Sequence, residues 1–297
     1  MSKAVVTGGS GFLGSHIADT LTERGFEVTL FDLRPSPYRR PGQKMVVGDV
    51  RDAEVLDTAC SGAEIVYHLA GLADLNAALE RPLEAAEMNV LGTVNVLEAA
   101  RAAGVRRFLF ASTVYVYSRA GGFYRCSKQA CEAYIEEYLR QWGLKFTILR
   151  YGSLYGPRAD ASNGVFRLLQ QAVEKGRIRH VGRPDDSREY VHVEDAARLS
   201  VDALDDEYEN RHLLISGHSP MRLRDLFTMF SEIMGRTVEV EYQDTGDALA
   251  EAHYRVTPYA YNPTVGRKLT SNYYVDMGQG ILQMLEQLQT PEEDDGA

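Results

Sequence analysis

A tyrosine and a lysine stand four positions apart in the segment FYRCSKQACE, which covers residues 123–132. In a helix this spacing places Tyr124 and Lys128 on the same face. A tyrosine has an ordinary pKa of about 10, so it acts as a base near neutral pH only where positive charge stabilises its phenolate. The ammonium group of Lys128 is a suitable charge. The spacing alone does not separate a catalytic pair from two unrelated surface residues, so the rest of the chain has to decide.

The first half of the chain alternates short β-branched segments with longer helical patterns. The predicted strands cover residues 3–7, 27–32, 44–47, 64–69, 107–112 and 145–150. The longest helical patterns cover 83–104 and 124–143. Continuous apolar strands between helices indicate a parallel sheet that is covered on both faces. With right-handed crossovers this predicts the α/β class, a doubly wound parallel sheet of the Rossmann type.

The second half changes character after residue 150. Helical patterns at about 164–176, 194–205, 222–234 and 276–289 are mixed with isolated strand patterns at 212–216 and 238–242. We therefore predict a smaller α/β cap that binds substrate, with part of the chain returning to the sheet. The predicted boundaries assign 1–152 and about 186–216 to the sheet domain, 153–185 and 217–290 to the cap, and 291–297 to a flexible acidic tail.

The composition restricts the classes of partner. A chain of 297 residues with 44% hydrophobic content can bury a sizeable core. The net charge of −10 argues against a nucleic-acid-binding surface, although a few local arginines suffice for an anionic small molecule. Cys60, Cys126 and Cys131 lack metal-ligand spacing and predict reduced thiols in a cytoplasmic protein without a metal site. The chain enters a predicted strand at once and has no apolar run of roughly 18 residues, so we expect neither a signal peptide nor a membrane partner.

A glycine-rich turn follows the first predicted strand. The segment VVTGGSGFLG leads from that strand into a helix, with Gly8, Gly11 and Gly14 spaced three apart. Glycine permits a tight turn and a close approach of the backbone to phosphate, and the helix start offers N–H groups to a pyrophosphate. The second predicted strand ends in Asp32, where a carboxylate can accept both ribose hydroxyls of NAD and repel the 2′-phosphate of NADP. The nearby Arg34 leaves the choice between the two cofactors open.

Two further segments end predicted strands at the same edge of the sheet. GDVRD places Asp49 where the adenine of a dinucleotide would lie, although an aspartate that only stabilises a turn is a serious alternative. HLAG, residues 68–71, has the small residues that close approach of a cofactor requires. We expect His68 itself to be a buried structural residue.

Motifs continue in a fixed order from residue 7 to about residue 195: TGGSGFLG, GDVRD, HLAG, NVLGT, FASTVYVY, Tyr124 with Lys128, RYGSLYGPR and SREYVHVED. Through them the chain resembles the extended short-chain dehydrogenase/reductase family, the nucleotide-sugar epimerases and dehydratases. The resemblance implies NAD as cofactor. The residues that it places at the cofactor are Gly8, Gly11, Phe12, Leu13, Gly14, Asp32, Asp49, Val50, Leu69, Ala70, Gly71, Asn89, Tyr124, Lys128 and Tyr151.

The same resemblance supplies a reacting centre. Tyr124 is the expected base, Lys128 its electrostatic partner, and Thr113 the hydroxyl that binds the reacting sugar oxygen, with Ser112 as the alternative. The segment between Thr113 and Tyr124 is much shorter than is usual in the family, which leaves the inherited substrate contacts open. We expect the glycine pair 121–122 to make this segment adaptable, and Cys126 to be buried packing.

The resemblance also narrows the reaction. Dehydratases of the family carry an Asp-Glu pair directly after the catalytic threonine, where this chain has Val114 and Tyr115. No proton carrier for dehydration is evident there, so we predict an NAD-dependent epimerase that acts through a keto sugar, with a 4-epimerase as the commonest such case. A nucleotide-sugar reductase and a non-catalytic NAD-sensing relative are the alternatives.

The substrate is expected to be a nucleotide sugar, a UDP-hexose or a UDP-uronate. Ser153 stands where the family usually has asparagine, and Arg188 matches an arginine that binds the diphosphate. Arg267 and Arg255 are weaker candidates for a second such arginine. The resemblance further implies a homodimer through the helices at 83–104 and 124–142.

Overall fold

A parallel sheet of eight strands forms the body of the molecule. The computed structural model describes residues 2–243 and 267–289. The strands are β1 (Lys3–Thr7), β2 (Glu27–Asp32), β3 (Lys44–Val47), β4 (Ile65–His68), β5 (Arg107–Thr113), β6 (Phe146–Tyr151), β7 (Ser153–Tyr155), β8 (Arg177–Val181), β9 (Ser187–His192), β10 (Arg211–Ile215), β11 (Pro220–Arg222), β12 (Glu239–Gln243) and β13 (Arg267–Leu269). The large sheet has the order β13-β10-β6-β5-β4-β1-β2-β3. Every pairing in it is parallel, which confirms the predicted fold class.

Helices cover both faces of this sheet. They are α1 (Phe12–Glu23), α2 (Ala53–Cys60), α3 (Leu75–Glu80), α4 (Pro82–Ala85), α5 (Gly92–Ala102), α6 (Gly122–Trp142), α7 (Gly164–Lys175), α8 (Val193–Asp202), α9 (Leu223–Met234) and α10 (Met277–Gln289). One apolar cluster joins α1 and α8 to the sheet, and another joins α2, α5 and α6 to the opposite face. Alternate residues of a strand serve the two clusters, as Val5 and Val6 do, because successive side chains point to opposite faces.

The smaller cap is built mainly from α7, α9 and α10. Their apolar faces meet in a third cluster around Leu169, Phe230 and Met284. Two short sheets complete it, with β12 beside β8 and the order β11-β9-β7. The side chain of Phe12, at the start of α1, packs against both this cluster and the cluster of α1 and α8. The body and the cap therefore share apolar contacts directly behind the glycine turn.

The structure differs from the predicted organisation in three places. The strand β13 pairs with β10 in the large sheet, although residues 217–290 were expected in the cap. The strand β9 pairs with β7 and β11 and lies outside the large sheet. The predicted helix 83–104 is interrupted by a π-helical segment, Ala86–Leu91. These are tertiary pairings and a local change of hydrogen bonding, which apolar periodicity does not encode.

Within the described residues, no helix combines the length and the hydropathy that crossing a membrane requires. The acidic tail 291–297 and Arg255 lie outside those residues.

Gly280 on α10 packs against the strands β7 and β9. A Cβ atom there would overlap the ring of Tyr155 and lie 2.8 Å from Cδ2 of His192. We expect Gly280→Ala to lower the free energy of unfolding by about 1–3 kcal/mol, the usual cost of overpacking. Urea denaturation followed by circular dichroism measures it. Gly164→Ala is the matched control, because no atom lies within 4 Å of its added Cβ. Equal stability of the two variants would contradict the packing described.

Candidate functional site

The glycine turn between β1 and α1 allows two close approaches of the backbone. Gly8 has a φ of +71°, and a Cβ atom there would lie 2.8 Å from the backbone nitrogen of Ala70. A Cβ atom on Gly14 would overlap the carbonyl oxygen of Gly8. Any side chain at either position would therefore displace the turn from the start of α1. This start leaves N–H groups without partners inside the helix, which is the usual arrangement for an anion.

Asp32, at the end of β2, binds the glycine turn through its side chain. Its carboxylate accepts a hydrogen bond from the backbone nitrogen of Ser10 at 3.0 Å, while the backbone nitrogen of Gly8 donates to the carbonyl of Phe31 at 2.8 Å. The hydroxyl of Ser10 donates to the carbonyl oxygen of Arg34. The end of β2 and the turn are thus held together, with the Asp32 carboxylate at the wall of the adjoining cavity.

A cavity of about 520 Å³ opens above the turn and runs along the carboxyl ends of β1, β2, β4 and β5. Nearly all of the residues predicted at the cofactor line it: Gly8, Gly11, Phe12, Leu13, Gly14, Asp32, Val50, Leu69, Ala70, Gly71, Tyr124, Lys128 and Tyr151. The turn that only glycines permit, the helix start and the strand-end carboxylate are the donor and acceptor set that suits a dinucleotide. The residues present therefore fit NAD.

Two of the predicted cofactor residues do not line this cavity. The carboxylate of Asp49 binds the guanidinium of Arg51, with Nη2 and Oδ2 2.6 Å apart, and this hydrogen bond holds the pKa of Asp49 below its usual range. Asn89 is buried, and its Nδ2 donates to Oγ of Ser127 at 2.9 Å and to the carbonyl oxygen of Leu72 at 3.1 Å. Its Oδ1 accepts from the backbone nitrogen of Leu72 at 2.6 Å. Asn89 therefore fixes the segment after β4 against α6 from behind the cavity wall.

The predicted reacting residues meet at the end of β5 and the start of α6. The hydroxyl of Thr113 hydrogen-bonds to that of Tyr124. Nζ of Lys128 donates to the carbonyl oxygen of Ala111 at 2.8 Å and lies 5.8 Å from the ring centroid of Tyr124. Burial raises the pKa of Tyr124 to about 12, against a smaller lowering by the Thr113 hydrogen bond. Burial also lowers the pKa of Lys128, and the nearby carboxylate of Glu132 opposes this effect.

Ser112, the alternative to Thr113, is committed elsewhere. Its hydroxyl donates to Oε1 of Glu132, which also accepts from Nε of Arg150 at 3.0 Å. Nη2 of Arg150 donates to Oε2 of the same carboxylate at 2.6 Å, and Nη1 donates to the hydroxyl of Tyr117 at 2.7 Å. Both members of this ion pair are buried. The geometry therefore favours Thr113 as the hydroxyl beside Tyr124, and Ser112 as part of the support below it.

A second cavity, of about 560 Å³, adjoins the first on the side of the cap. Thr113 and Tyr124 line both cavities. Ser153 and Arg188, the predicted substrate residues, line the second one. Arg267 lines neither, because it lies at the start of β13, where it pairs with Glu207 and stacks on the ring of Tyr208.

The sequence interpretation missed several residues of the second cavity. Arg167 on α7 and Arg179 on β8 also line it, beside His180, and the guanidinium of Arg179 pairs with Glu241. Burial and the nearby charge of Arg188 lower the pKa of His180 to about 4, so this histidine is neutral at neutral pH. Asn163 caps α7 by accepting from the backbone nitrogen of Phe166. That cap places Arg167 within the first turn of α7 and was a readable signal in the sequence.

The structure also tests the predicted burial of His68 and of Cys126. His68 is buried, as expected, between the hydroxyls of Thr7 and Thr93, and burial lowers its pKa to about 3. Cys126 is exposed, so the expectation of a buried packing residue was wrong. It lies on the outer face of α6 with Phe123, an apolar residue one turn earlier that is exposed as well.

Comparisons with known proteins agree with this geometry. A family model described as the NAD dependent epimerase/dehydratase family matches residues 4–216. A relative from Methanocaldococcus jannaschii, provisionally named a UDP-glucose 4-epimerase, is 30% identical over 80% of this chain and 84% of its own. A UDP-glucuronate 4-epimerase from Thermodesulfobacterium geofontis is 25% identical over 82% of this chain and 84% of its own. The crystal structure of UDP-glucose 4-epimerase from Thermotoga maritima with UDP-glucose matches at a TM-score of 0.83 and 26% identity, covering 96% of this chain and 98% of that one.

The ion pair of Glu132 and Arg150 generates a stability prediction. We expect Glu132→Gln to lower the free energy of unfolding by about 3–5 kcal/mol, because it leaves the guanidinium charge buried and unpaired. The double variant Glu132→Leu with Arg150→Met should recover most of that loss, since it removes both charges. Urea denaturation of the three proteins measures this. Glu137→Gln is the control on the same helix, where the pair with Arg140 is exposed and should change little. A Glu132→Gln protein as stable as the control would contradict the expected cost.

Proposed function

The chain belongs to the NAD-dependent epimerase/dehydratase family, and on that premise we propose that it is an NAD-dependent 4-epimerase of a UDP-hexose or a UDP-uronate. The observation that carries the proposal is the junction of the two cavities at Thr113 and Tyr124. One cavity has the glycine turn and carboxylate that suit a dinucleotide, and the other has the arginines that suit a diphosphate. A proton acceptor at their junction can act on a sugar while the cofactor lies on the other side.

The proposed chemistry assigns Tyr124 as the base. NAD held in the first cavity would supply a reversible hydride acceptor, and its oxidised ring would add a positive charge. Oη of Tyr124, once ionised, takes the proton of the sugar hydroxyl and gives it back to the same oxygen after the sugar has turned. Thr113 orients that oxygen through its hydroxyl. The ammonium of Lys128 stabilises the phenolate and opposes the effect of burial on its pKa.

The second cavity is the proposed nucleotide-sugar site. Arg188 is proposed to bind the diphosphate, since a guanidinium fork suits phosphate oxygens. Ser153 at the start of β7 is proposed to contact the sugar.

Val114 and Tyr115 follow Thr113 without a carboxylate, so dehydration has no proton carrier at these positions. The cavity of about 560 Å³ leaves room for the keto sugar to rotate. The proposed cycle also requires the cofactor to stay bound until the hydride has been returned.

The direct test is to incubate the purified protein with UDP-glucose, UDP-galactose and the two corresponding uronates, without added cofactor, and to follow the products by NMR. We expect conversion of one 4-epimer into the other in at least one pair. Tyr124→Phe should lower kcat by about 100- to 10,000-fold, the usual contribution of a general base. Tyr134→Phe, at an exposed position on the same helix, should retain activity. In a parallel assay with NAD(P)H added, stoichiometric consumption of the reduced cofactor would instead indicate a reductase.

We also propose a homodimer through α5, α6 and the π-helical segment between α4 and α5. The support is the exposure of large apolar side chains there, including Leu91 at 50% and Trp142 at 55%. Leu91→Glu should place a charge in that surface and shift the protein from dimer to monomer in light scattering after size exclusion. Leu282→Glu, on α10 of the cap, should leave the dimer intact. A wild type that is monomeric at high concentration would overturn this assignment.

A cytoplasmic location without nucleic-acid or membrane partners is proposed as well. The thiols of Cys60, Cys126 and Cys131 are free, and the formal net charge is −10. A reducing compartment and a small anionic ligand held by local arginines agree with both properties. Fractionation of the source cells is the measurement that checks it.

A further inference from the structure

The segment between Thr113 and Tyr124 is tied to the helix that carries the base. Residues Val114–Tyr117 form a 3₁₀ turn. Nε2 of Gln129 donates to the carbonyl oxygen of Val116 at 3.0 Å, and Nη1 of Arg125 donates to that of Ser118 at 3.0 Å. The backbone nitrogen of Ser118 donates to the carbonyl oxygen of Tyr115 at 2.9 Å. Each turn of the segment is thus closed on itself or bound to α6.

The buried ion pair holds the segment from below. Tyr117 is buried, and its hydroxyl accepts from Nη1 of Arg150 at 2.7 Å. Arg150 is in turn held by both oxygens of Glu132 on α6. Moving the segment would break a buried, charge-assisted hydrogen bond, which is costly.

The glycine pair at 121–122 packs closely, contrary to the expectation that it makes the segment adaptable. Gly121 has a φ of +95°, and a Cβ atom there would lie 2.8 Å from Cδ1 of Tyr115. Gly122 has a φ of +48°, and its Cβ would lie 2.7 Å from Cδ2 of Leu79 on α3. Both positions therefore require glycine, because the backbone has a positive φ and a neighbouring side chain lies where a Cβ atom would be. The ring of Tyr115 rests directly against the first of them.

Two neighbours, Tyr124 and Gly121, restrict the ring of Tyr115. It lies edge-to-face on the ring of Tyr124, with the centroids 6.4 Å apart and the planes at 80°. The backbone of Gly121 packs against the same ring. Tyr115 is half-buried and lines the second cavity together with Thr113 and Tyr124. A large, fixed aromatic ring therefore forms the cavity wall next to the reacting residues.

We propose that Tyr115 determines the size of the sugar that the second cavity accepts, and that it excludes a sugar with an acetamido substituent while admitting the corresponding hydroxyl sugar. The inference rests on the proposed function, since it concerns the substrate of that site. A wall that cannot retreat rejects added volume, because a close-packed surface offers no space for a larger group. The contribution comes from the volume of the ring and not from its hydroxyl group.

The test compares UDP-glucose with UDP-N-acetylglucosamine in the wild type and in Tyr115→Thr. We expect the wild type to prefer UDP-glucose by about 100-fold or more in kcat/KM, a discrimination that pocket size alone can give. Tyr115→Thr should reduce the preference to below about 10-fold, mainly by raising the value for the acetamido sugar. An unchanged ratio, or a wild type that converts both sugars equally well, would overturn the proposal.

Two further variants separate the ring from other effects. Tyr115→Phe retains the ring and should keep the wild-type ratio, so a lowered ratio there would assign the selectivity to the hydroxyl and overturn the volume argument. Tyr134→Thr makes the same kind of change on the exposed surface of α6 and should leave the ratio unaltered. Thermal unfolding of all variants verifies that each is folded.

Binding measurements keep this inference distinct from the proposed function. Calorimetric titration with each UDP-sugar gives a ratio of Kd values that does not require turnover. Absence of epimerisation with any sugar would refute the proposed function, whereas the Kd ratio would still test Tyr115. Turnover with a ratio that does not respond to Tyr115→Thr would refute the inference alone.

Discussion

The buried ion pair between Glu132 and Arg150 is the interaction on which the arrangement of the site depends. Glu132 stands one turn after Lys128 on α6, and Arg150 is on β6 beside Ser112 of β5. Ser112 and Tyr117 complete its hydrogen bonds, so the strand that ends in Thr113, the helix of Tyr124 and the segment between them all meet at one pair. A buried ion pair contributes little net stability once desolvation is counted, but breaking it is expensive. Its role here is to fix the relative positions of three elements.

Burial shifts the pKa values of Tyr124 and Lys128 in opposite directions. It raises the pKa of Tyr124 and lowers that of Lys128, so burial disfavours the charged form of each group. The Thr113 hydrogen bond and the Glu132 carboxylate work against that tendency without cancelling it. Tyr124 is therefore protonated at neutral pH, and its proposed role as the base depends on additional positive charge at the site. Such a dependence links proton transfer to occupancy of the neighbouring cavity.

Much of the body and of the first cavity could be predicted from the sequence, because short-range patterns encode them. The strands β1 to β6 follow from apolar runs, and Gly8, Gly14 and Asp32 follow from the chemistry of a phosphate turn. The contacts of Asp49 and Asn89 could not be predicted in this way. Asp49 binds Arg51, and Asn89 binds Leu72 and Ser127, because of the direction in which each side chain points, which no sequence pattern specifies. The second cavity was predicted least well. Its arginines come from α7, β8 and β9, which no local pattern brings together.

The pairing of β13 with β10 bears on how the molecule reaches its structure. Leu213 and Arg267 are partners in the large sheet, although the strands β11 and β12 and the helix α9 of the cap lie between them in the chain. A parallel pairing over such a sequence separation forms slowly, because loop closure must precede the contacts that reward it. The strand β13 is therefore expected to pair with β10 only after the cap has formed. Until then β10 presents an unpaired strand edge, the kind of surface on which folding intermediates associate.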